Sequence, residues 1–333
     1  MEIVVTDWES KIQAYNLPEK LKAKCEAQNE IEIIYLSEIG SYEYDQIIAY
    51  YGNTPNEQVL RNFKNLKWIQ FGSSGIDKIS NEYIEENKLT VSNIGRINSK
   101  ALVTFILGEL FLSCKTGVID SKNDQTILSN RRIYDRELEK FLEYDELHLL
   151  ILGYGNTTRN LISLLSNVVK EISIITSEAK KNDKNIKFYT HDNYFEGLRN
   201  NPPSHVINLL SLKNETKCFV DSDFINKINN SFYYINCGRA ETQEKSDLIH
   251  ALNSQKIWGA SLDVFGLPGG EIDKEFRGIS NIRLTPHISG WTKHFWKEME
   301  SIILFNSKKY FTKNNLSEMK NLLFKEGKQV RKF

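Results

Sequence analysis

His148-Leu149-Leu150-Ile151-Leu152-Gly153-Tyr154-Gly155-Asn156-Thr157-Thr158 decides the fold. An unbroken apolar run, Leu149–Leu152, reads as a strand buried on both faces. Two glycines flank one residue directly after it, and a helix-like stretch, Thr158–Val168, follows. The first glycine permits a tight turn, and the second lets backbone approach a phosphate at the positive end of the helix. Strand, Gly-x-Gly and helix in this order predict a dinucleotide-binding turn.

The rest of the chain keeps that rhythm. Ile172–Ile175, Val206–Leu210, Tyr233–Asn236, Trp258–Leu262 and Ile282–Leu284 are further β-like runs, the pattern of a Rossmann domain. Toward the N-terminus, Ile3–Val5, Ile31–Tyr35, Gln46–Ala49 and Trp68–Phe71 read as buried parallel strands. The helices Pro18–Gln28 and Pro55–Phe63 alternate with them. Phe71-Gly72-Ser73-Ser74-Gly75 closes the fourth of these strands with small residues, which suit an anion nest of backbone amides. A long helix is expected after Asn98 or Ser99, with one of the two as its cap. Later, Glu298–Tyr310 reads as helix, and the basic tail Lys325–Phe333 reads as solvated or frayed.

Composition narrows the function. The 333 residues suffice for two domains, and 43 basic side chains balance 43 acidic ones, which argues against nucleic acid held by bulk charge. Cys25, Cys114, Cys218 and Cys237 are widely spaced. Neither a metal site nor a disulfide framework is expected, and a reducing, cytoplasmic compartment fits. The longest apolar stretch, Ala101–Leu112, is too short to span a bilayer and is interrupted by Thr104 and Glu109, so it reads as a buried helix and no membrane is expected. Arg131 and Arg132, in a polar segment, read as part of a solvated face.

The chemistry concentrates in the last third, where Arg239, Asp263 and His287 stand in Asn236-Cys237-Gly238-Arg239, Ala260-Ser261-Leu262-Asp263-Val264-Phe265 and Leu284-Thr285-Pro286-His287-Ile288. A guanidinium can clamp a carboxylate with two hydrogen bonds, and an imidazole can move a proton near neutral pH.

Gly-x-Gly, Asn-x-x-Arg, Leu-Asp-Val and Thr-Pro-His, in this order, resemble the D-2-hydroxyacid dehydrogenase family over nearly the whole chain. The resemblance implies two α/β domains with parallel sheets and an active-site cleft between them. Residues 1–97 and 292–333 would form a flavodoxin-like substrate domain, and 98–291 the Rossmann dinucleotide-binding domain. It implies hydride transfer between a nicotinamide and a 2-oxo or 2-hydroxy acid. Arg239 would hold the substrate, with Ser74 and Gly75 supplying amides to its carboxylate, and His287 would be the general acid or base. Gly153, Gly155, Asn156, Thr157, Thr176, Ser211, Thr216, Cys237 and Asp263 would line the cofactor, Asp263 at the nicotinamide end. A homodimer is also implied, with Ala101–Leu112 as a candidate contributor.

The chain departs from the family at several positions. Thr158 replaces the third glycine of the fingerprint, a change expected to shift the helix rather than abolish binding. Val103-Thr104 stands for Ala-Glu, Ser211 for a Pro and Ala240 for a Gly. By the family's spacing the ribose-binding acid falls at Thr176. That uncharged residue, with Ser177, Lys180 and Lys181 nearby, tips the cofactor toward NADP(H), while Glu178 pulls toward NAD(H). The Glu that partners the catalytic His falls at Pro268, which offers no side-chain acceptor; Glu271 and Asp273 are the nearest carboxylates. Two readings follow: an oxidoreductase with altered proton transfer, or an impaired cofactor-binding regulatory or interaction protein of the same fold.

Overall fold

Parallel pairing is what the continuous apolar runs dictate, and it organises both halves of the chain. The computed structural model describes residues 2–8, 16–53, 56–116, 141–265, 274–276, 278–312 and 315–330. Its strands are β1 (Glu2–Thr6), β2 (Ile31–Tyr35), β3 (Ile47–Gly52), β4 (Trp68–Phe71), β5 (Thr90–Ser92), β6 (His148–Leu152), β7 (Glu171–Ile175), β8 (Ile186–Tyr189), β9 (His205–Asn208), β10 (Phe232–Asn236), β11 (Ile257–Leu262), β12 (Ile282–Leu284), β13 (Leu322–Lys325) and β14 (Lys328–Gln329). The chain divides into two compact units, one of Met1–Asn98 with Thr292–Phe333 and one of Ser99–Trp291.

In the first unit the sheet order is β14-β13-β5-β4-β3-β1-β2. The pairs among β1 to β5 are parallel; β13 joins β5, and β14 joins β13, antiparallel. Alternate side chains of β1 feed two cores, Ile3 and Val5 into one and Val4 into the other. The helix Phe295–Phe311 buries Met299, Ile302 and Ile303, and it carries two buried polar residues. Asn306 Nδ2 donates to Gln70 Oε1 at 2.9 Å, and the Tyr51 and Ser307 hydroxyls meet at 2.8 Å. These bonds tie the last forty residues to the N-terminal sheet.

In the second unit the order is β12-β11-β10-β9-β6-β7-β8, all parallel. The chain builds outward from β6 in one direction and then returns beside it as β9, so the order reverses at the end of β6, where an open α/β sheet makes its ligand crevice. Every residue of β6 is buried. Leu150 and Leu152 pack on one face and Leu149 and Ile151 on the other.

Several sequence expectations are corrected here. The helix after Asn56 spans only Glu57–Leu60, because Asn56 Oδ1 caps the Gln58 amide at 2.9 Å and the chain then turns. Neither proposed residue caps the helix Ser99–Thr116. Asn98 Oδ1 has no partner among the described residues, and Ser99 Oγ accepts from Asn160 Nδ2 at 2.9 Å. In the tail Lys328 and Gln329 are exposed, as expected of a solvated segment, but they are not frayed, since they pair with β13. In the helix Ser99–Thr116, Val103, Ile106 and Leu110 are buried while Phe111 and Leu112 are exposed, so it is not buried all round. Arg131, Arg132 and most of the polar segment after the helix lie outside the described residues. No helix among the described residues is long and apolar enough to cross a membrane. All four cysteines are free thiols.

Two buried histidines make stability depend on pH. His205 lies between the Ser113 and Ser204 hydroxyls at 3.1 and 3.0 Å, and burial pushes its pKa down to about 3. His148 bonds Ser173 at 2.8 Å; burial lowers its pKa, and the nearby Glu171 opposes that in part. In the unfolded chain a His titrates near ~6.5. Above that pH neither state gains a proton. Below it the unfolded state takes up protons that native His205 refuses until about pH 3, so stability is lost across that window. Urea unfolding from pH 7.5 to 4.5 is expected to show a loss whose slope falls by about 1.4 kcal/mol per pH unit in His205→Gln.

Candidate active site

Because the strands of the second unit run parallel, the segments that follow them emerge at one edge of the sheet. Gly153 follows β6, Thr176 β7, Ser211 the end of β9, Cys237–Arg239 β10, Asp263 β11 and Thr285–His287 β12. Ser74 and Gly75 follow β4 in the first unit.

The turn after β6 requires its first glycine. Gly153 has φ +96°, and a Cβ there would sit 3.2 Å from the Leu209 carbonyl oxygen. A Cβ on Gly155 would meet nothing within 4 Å, so its bareness serves an approach from outside rather than packing. Gly155 is the cap residue of the helix Asn156–Leu165 and offers no side chain to its first amides. Thr158 fits the third-glycine position: it is fully buried, and its Oγ1 donates to the Gly153 carbonyl at 2.8 Å. An anion at this helix start would find bare amides and an open approach, so the residues fit a dinucleotide pyrophosphate.

Paired asparagines shape the next two loops. At the end of β9, Asn208 Oδ1 accepts from the Leu210 amide at 3.1 Å while its Nδ2 donates to Tyr234 and Thr242. At the end of β10, Asn236 Oδ1 accepts from the Gly238 amide at 2.9 Å, and its Nδ2 donates to Gln243. A Cβ on Gly238 would lie 2.7 Å from the Leu210 carbonyl oxygen, so the two loops touch only because this residue is glycine. Arg239 is half-buried, and its Nη1 donates to the Gly238 carbonyl at 3.0 Å. Thr216 Oγ1 donates to the Ser211 carbonyl at 2.7 Å and accepts from the Lys213 amide at 2.8 Å, so this hydroxyl closes its own loop. Cys237 is buried, and burial, then Asp263, pushes its thiol pKa up.

Asp263 is 1% exposed, and each carboxylate oxygen accepts two hydrogen bonds. Oδ1 takes the Thr285 hydroxyl at 2.6 Å and the Ile288 amide at 2.9 Å. Oδ2 takes the Ser289 amide at 2.9 Å and the Ser289 hydroxyl. The His287 amide donates to the Asp263 carbonyl at 3.1 Å, and His287 itself adopts φ +55° with an exposed side chain. A left-handed non-glycine residue costs roughly 1–2 kcal/mol and persists where neighbours enforce it. Here the carboxylate enforces it from below. Pro268, Glu271 and Asp273 lie outside the described residues.

Two residues that sequence reasoning missed brace the same edge. Arg283, in β12, grips Glu109 of the helix Ser99–Thr116 with two bonds, Nε at 2.9 Å and Nη2 at 3.2 Å. Ser261, paired with Arg283 across the ladder, donates to the same carboxylate at 2.6 Å and meets the Tyr233 hydroxyl at 2.7 Å. The signal was a lone carboxylate inside an apolar run.

In the first unit, Asn93 Nδ2 donates to the Ser74 carbonyl at 2.6 Å, and Ser74 Oγ donates to the Gly95 carbonyl at 3.0 Å. Among the described residues the Ser74 and Gly75 amides donate to no backbone carbonyl.

A parallel sheet with a Gly-x-Gly crevice and a set of Arg, Asp and His at its carboxyl edge defines a dinucleotide-dependent oxidoreductase class. The model described as "D-isomer specific 2-hydroxyacid dehydrogenase, NAD binding domain" matches residues 118–289, and the chain belongs to that family. It is 24% identical over 302 residues to a hydroxypyruvate reductase of Blautia hydrogenotrophica, covering 86% of this chain and 89% of the relative. It superposes on an NAD-dependent formate dehydrogenase from Staphylococcus aureus in complex with NAD, with TM-score 0.76, 16% identity and coverage of 96% and 98%. An NADPH-dependent glyoxylate/hydroxypyruvate reductase from Sinorhizobium meliloti, in complex with NADP and malonate, gives TM-score 0.74, 15% identity and coverage of 100% and 99%. At these identities the likeness is one of fold.

Replacing Asp263 with Asn puts an amide N–H where Oδ1 or Oδ2 now accepts. The expected outcome is a loss of about 1–3 kcal/mol in stability and faster hydrogen exchange at the Ile288 and Ser289 amides than in the rest of the sheet edge.

Proposed function

We propose that the chain is an NAD(P)(H)-dependent oxidoreductase acting on 2-oxo or 2-hydroxy acids. The observation that carries this reading is the turn after β12, where Asp263 spends both carboxylate oxygens on presenting His287. A site that only bound a dinucleotide would have no need of an exposed His287 on left-handed backbone within a turn that a buried carboxylate fixes. Arg239 is the residue to pair with the substrate carboxylate, and Ser74 and Gly75 are the candidate carboxylate-binding amides of the first unit. His287 delivers a proton to the carbonyl oxygen during reduction and removes it during oxidation. Asp263 orients the turn, and in this reading its place at the nicotinamide end comes second to that task. When bound, the nicotinamide supplies or accepts the hydride. Gly153, Gly155, Asn156 and Thr157 would hold the pyrophosphate, and Thr176, Ser211, Thr216 and Cys237 would line the rest. NADP(H) is favoured because Thr176 carries no charge. A homodimer belongs to the same reading, with exposed Phe111 and Leu112 on the candidate helix.

Glyoxylate, hydroxypyruvate, pyruvate and a bulkier 2-oxo acid, assayed for consumption of reduced coenzyme, test the proposal. Turnover of at least one is expected. Coenzyme binding with no turnover of any of them would instead favour a regulatory or interaction protein. Arg239→Lys should lower kcat/KM by about a hundredfold or more while coenzyme affinity holds, because an ammonium cannot make the paired contact. Wild-type kinetics would remove Arg239 from the chemistry.

Pro268 supplies a second test. A carboxylate beside an imidazolium raises its pKa, so Pro268→Glu should carry carbonyl reduction to higher pH, while Pro268→Gln, similar in volume and uncharged, should not. Identical pH–rate profiles would show that His287 does not lack a partner at that position.

A further inference from the structure

Three asparagines in series, Asn306, Asn321 and Asn93, hold the loop that carries Ser74 and Gly75. Asn306, fully buried in the helix Phe295–Phe311, grips Lys320 on both its backbone groups. Its Oδ1 accepts from the Lys320 amide at 2.7 Å, and its Nδ2 donates to the Lys320 carbonyl at 3.0 Å. Asn321 comes next, on left-handed backbone with φ +53°, and its carbonyl accepts from the Asn93 amide at 3.2 Å. Asn93 is buried and divides its carboxamide between two loops. Its Nδ2 donates to the Ser74 carbonyl at 2.6 Å, and its Oδ1 accepts from the Gly95 amide at 2.8 Å. The Ser74 hydroxyl returns a bond to the Gly95 carbonyl at 3.0 Å. Gly95 must be glycine for this clasp to close. It has φ +63°, and a Cβ there would lie 2.3 Å from Asn321 Oδ1.

The Ser74 carbonyl and the Gly75 N–H belong to one peptide plane. Asn93 grips that plane by the carbonyl oxygen. A trans peptide carries its N–H on the side opposite its C=O. The Gly75 N–H therefore points away from Asn93, and turning it round would break the bond from Asn93. The Ser73 hydroxyl fixes the next plane in the same way, donating to the Gly75 carbonyl at 2.7 Å. The clasp thus uses carbonyls and hydroxyls of this loop and leaves the Gly75 amide aimed outward. A donor oriented in advance spares a bound anion the cost of ordering it. We infer that Asn93 and Asn321 are positioning residues for the substrate carboxylate: they aim the Gly75 amide at it, and so tie affinity for the acid to the C-terminal segment. The inference rests on the proposed 2-oxo acid chemistry, in which Ser74 and Gly75 receive the carboxylate. Both asparagines act through that loop and need not touch the acid.

Steady-state kinetics of the full-length protein test it, using whichever of the four 2-oxo acids above is reduced fastest. Coenzyme binding, followed by nucleotide fluorescence, is measured beside them. Asn93→Ser keeps a hydroxyl able to accept from the Gly95 amide and removes the donor to Ser74. It should raise KM for the acid about five- to tenfold. Its kcat and coenzyme Kd should stay within about twofold of wild type, because a carboxylate contact is made equally in the ground and transition states. Asn321→Gly suits left-handed backbone and keeps the carbonyl, while removing the carboxamide that lies against Gly95. It should raise KM about threefold with the same constancy of kcat and coenzyme Kd. It also carries the test alone if Asn93→Ser does not fold. An unchanged KM in either folded variant would overturn the inference and leave the proposed function standing. So would a KM rise accompanied by equal losses in kcat and coenzyme affinity, the mark of general loosening. Turnover of none of the acids by the wild type would overturn both.

Discussion

The carboxylate of Asp263 is the fixed point of the chemical edge. A buried carboxylate is costly unless its lone pairs are taken, and here all of them are directed into one turn, Thr285–Ser289. The direction of dependence matters. Thr285 and His287 follow a three-residue edge strand that a single ladder could not hold rigid. The carboxylate supplies from the side what β12 lacks in length, and the backbone strain at His287 is sustained by those bonds. Glu109 does for the strand what Asp263 does for the turn. The two carboxylates grip successive parts of one segment: Glu109 takes Arg283, and Asp263 takes Thr285, two residues on.

The glycines divide into two kinds on the same physical ground. Gly153 and Gly238 are glycines because backbone from a neighbouring strand's loop comes close to them. Gly155 has nothing near it and is glycine for what comes from outside. The fingerprint therefore mixes a folding requirement with a binding requirement. That is why Thr158 is tolerated at its third position: the requirement there is packing, and a buried hydroxyl bonded back to Gly153 meets it.

Most of the parallel strands were legible because a strand buried on both faces reads as an apolar run. β2, β4 and β12 coincide with their sequence bounds. β8 was not legible: Ile186–Tyr189 is half-buried throughout, begins after a lysine-rich loop and includes Lys187, so neither run nor alternation marks it. β13 escaped because it joins a strand far from it in sequence, and β14 because it is only two residues long. At the site, the motif residues could be placed at loops from spacing alone. Their supports could not be, since Glu109 and Arg283 are 174 positions apart. Motifs report what touches ligands; the residues that hold motifs in place are dispersed over the fold.

The division of the chain also carries a consequence for its synthesis. The second unit is one continuous stretch, whereas the first needs residues from both ends. As the chain leaves the ribosome, Ser99–Trp291 can complete its sheet while the N-terminal strands still lack the helix Phe295–Phe311 and β13. Tyr51 then awaits Ser307, and Gln70 Oε1, which already accepts from Ser92, awaits its second donor, Asn306. A chain stopped just after Ser289 would therefore carry the turn that Asp263 fixes on a finished sheet, together with N-terminal strands whose β5 edge is open and whose Tyr51 hydroxyl lacks Ser307, the kind of surface that chaperones and proteases recognise first.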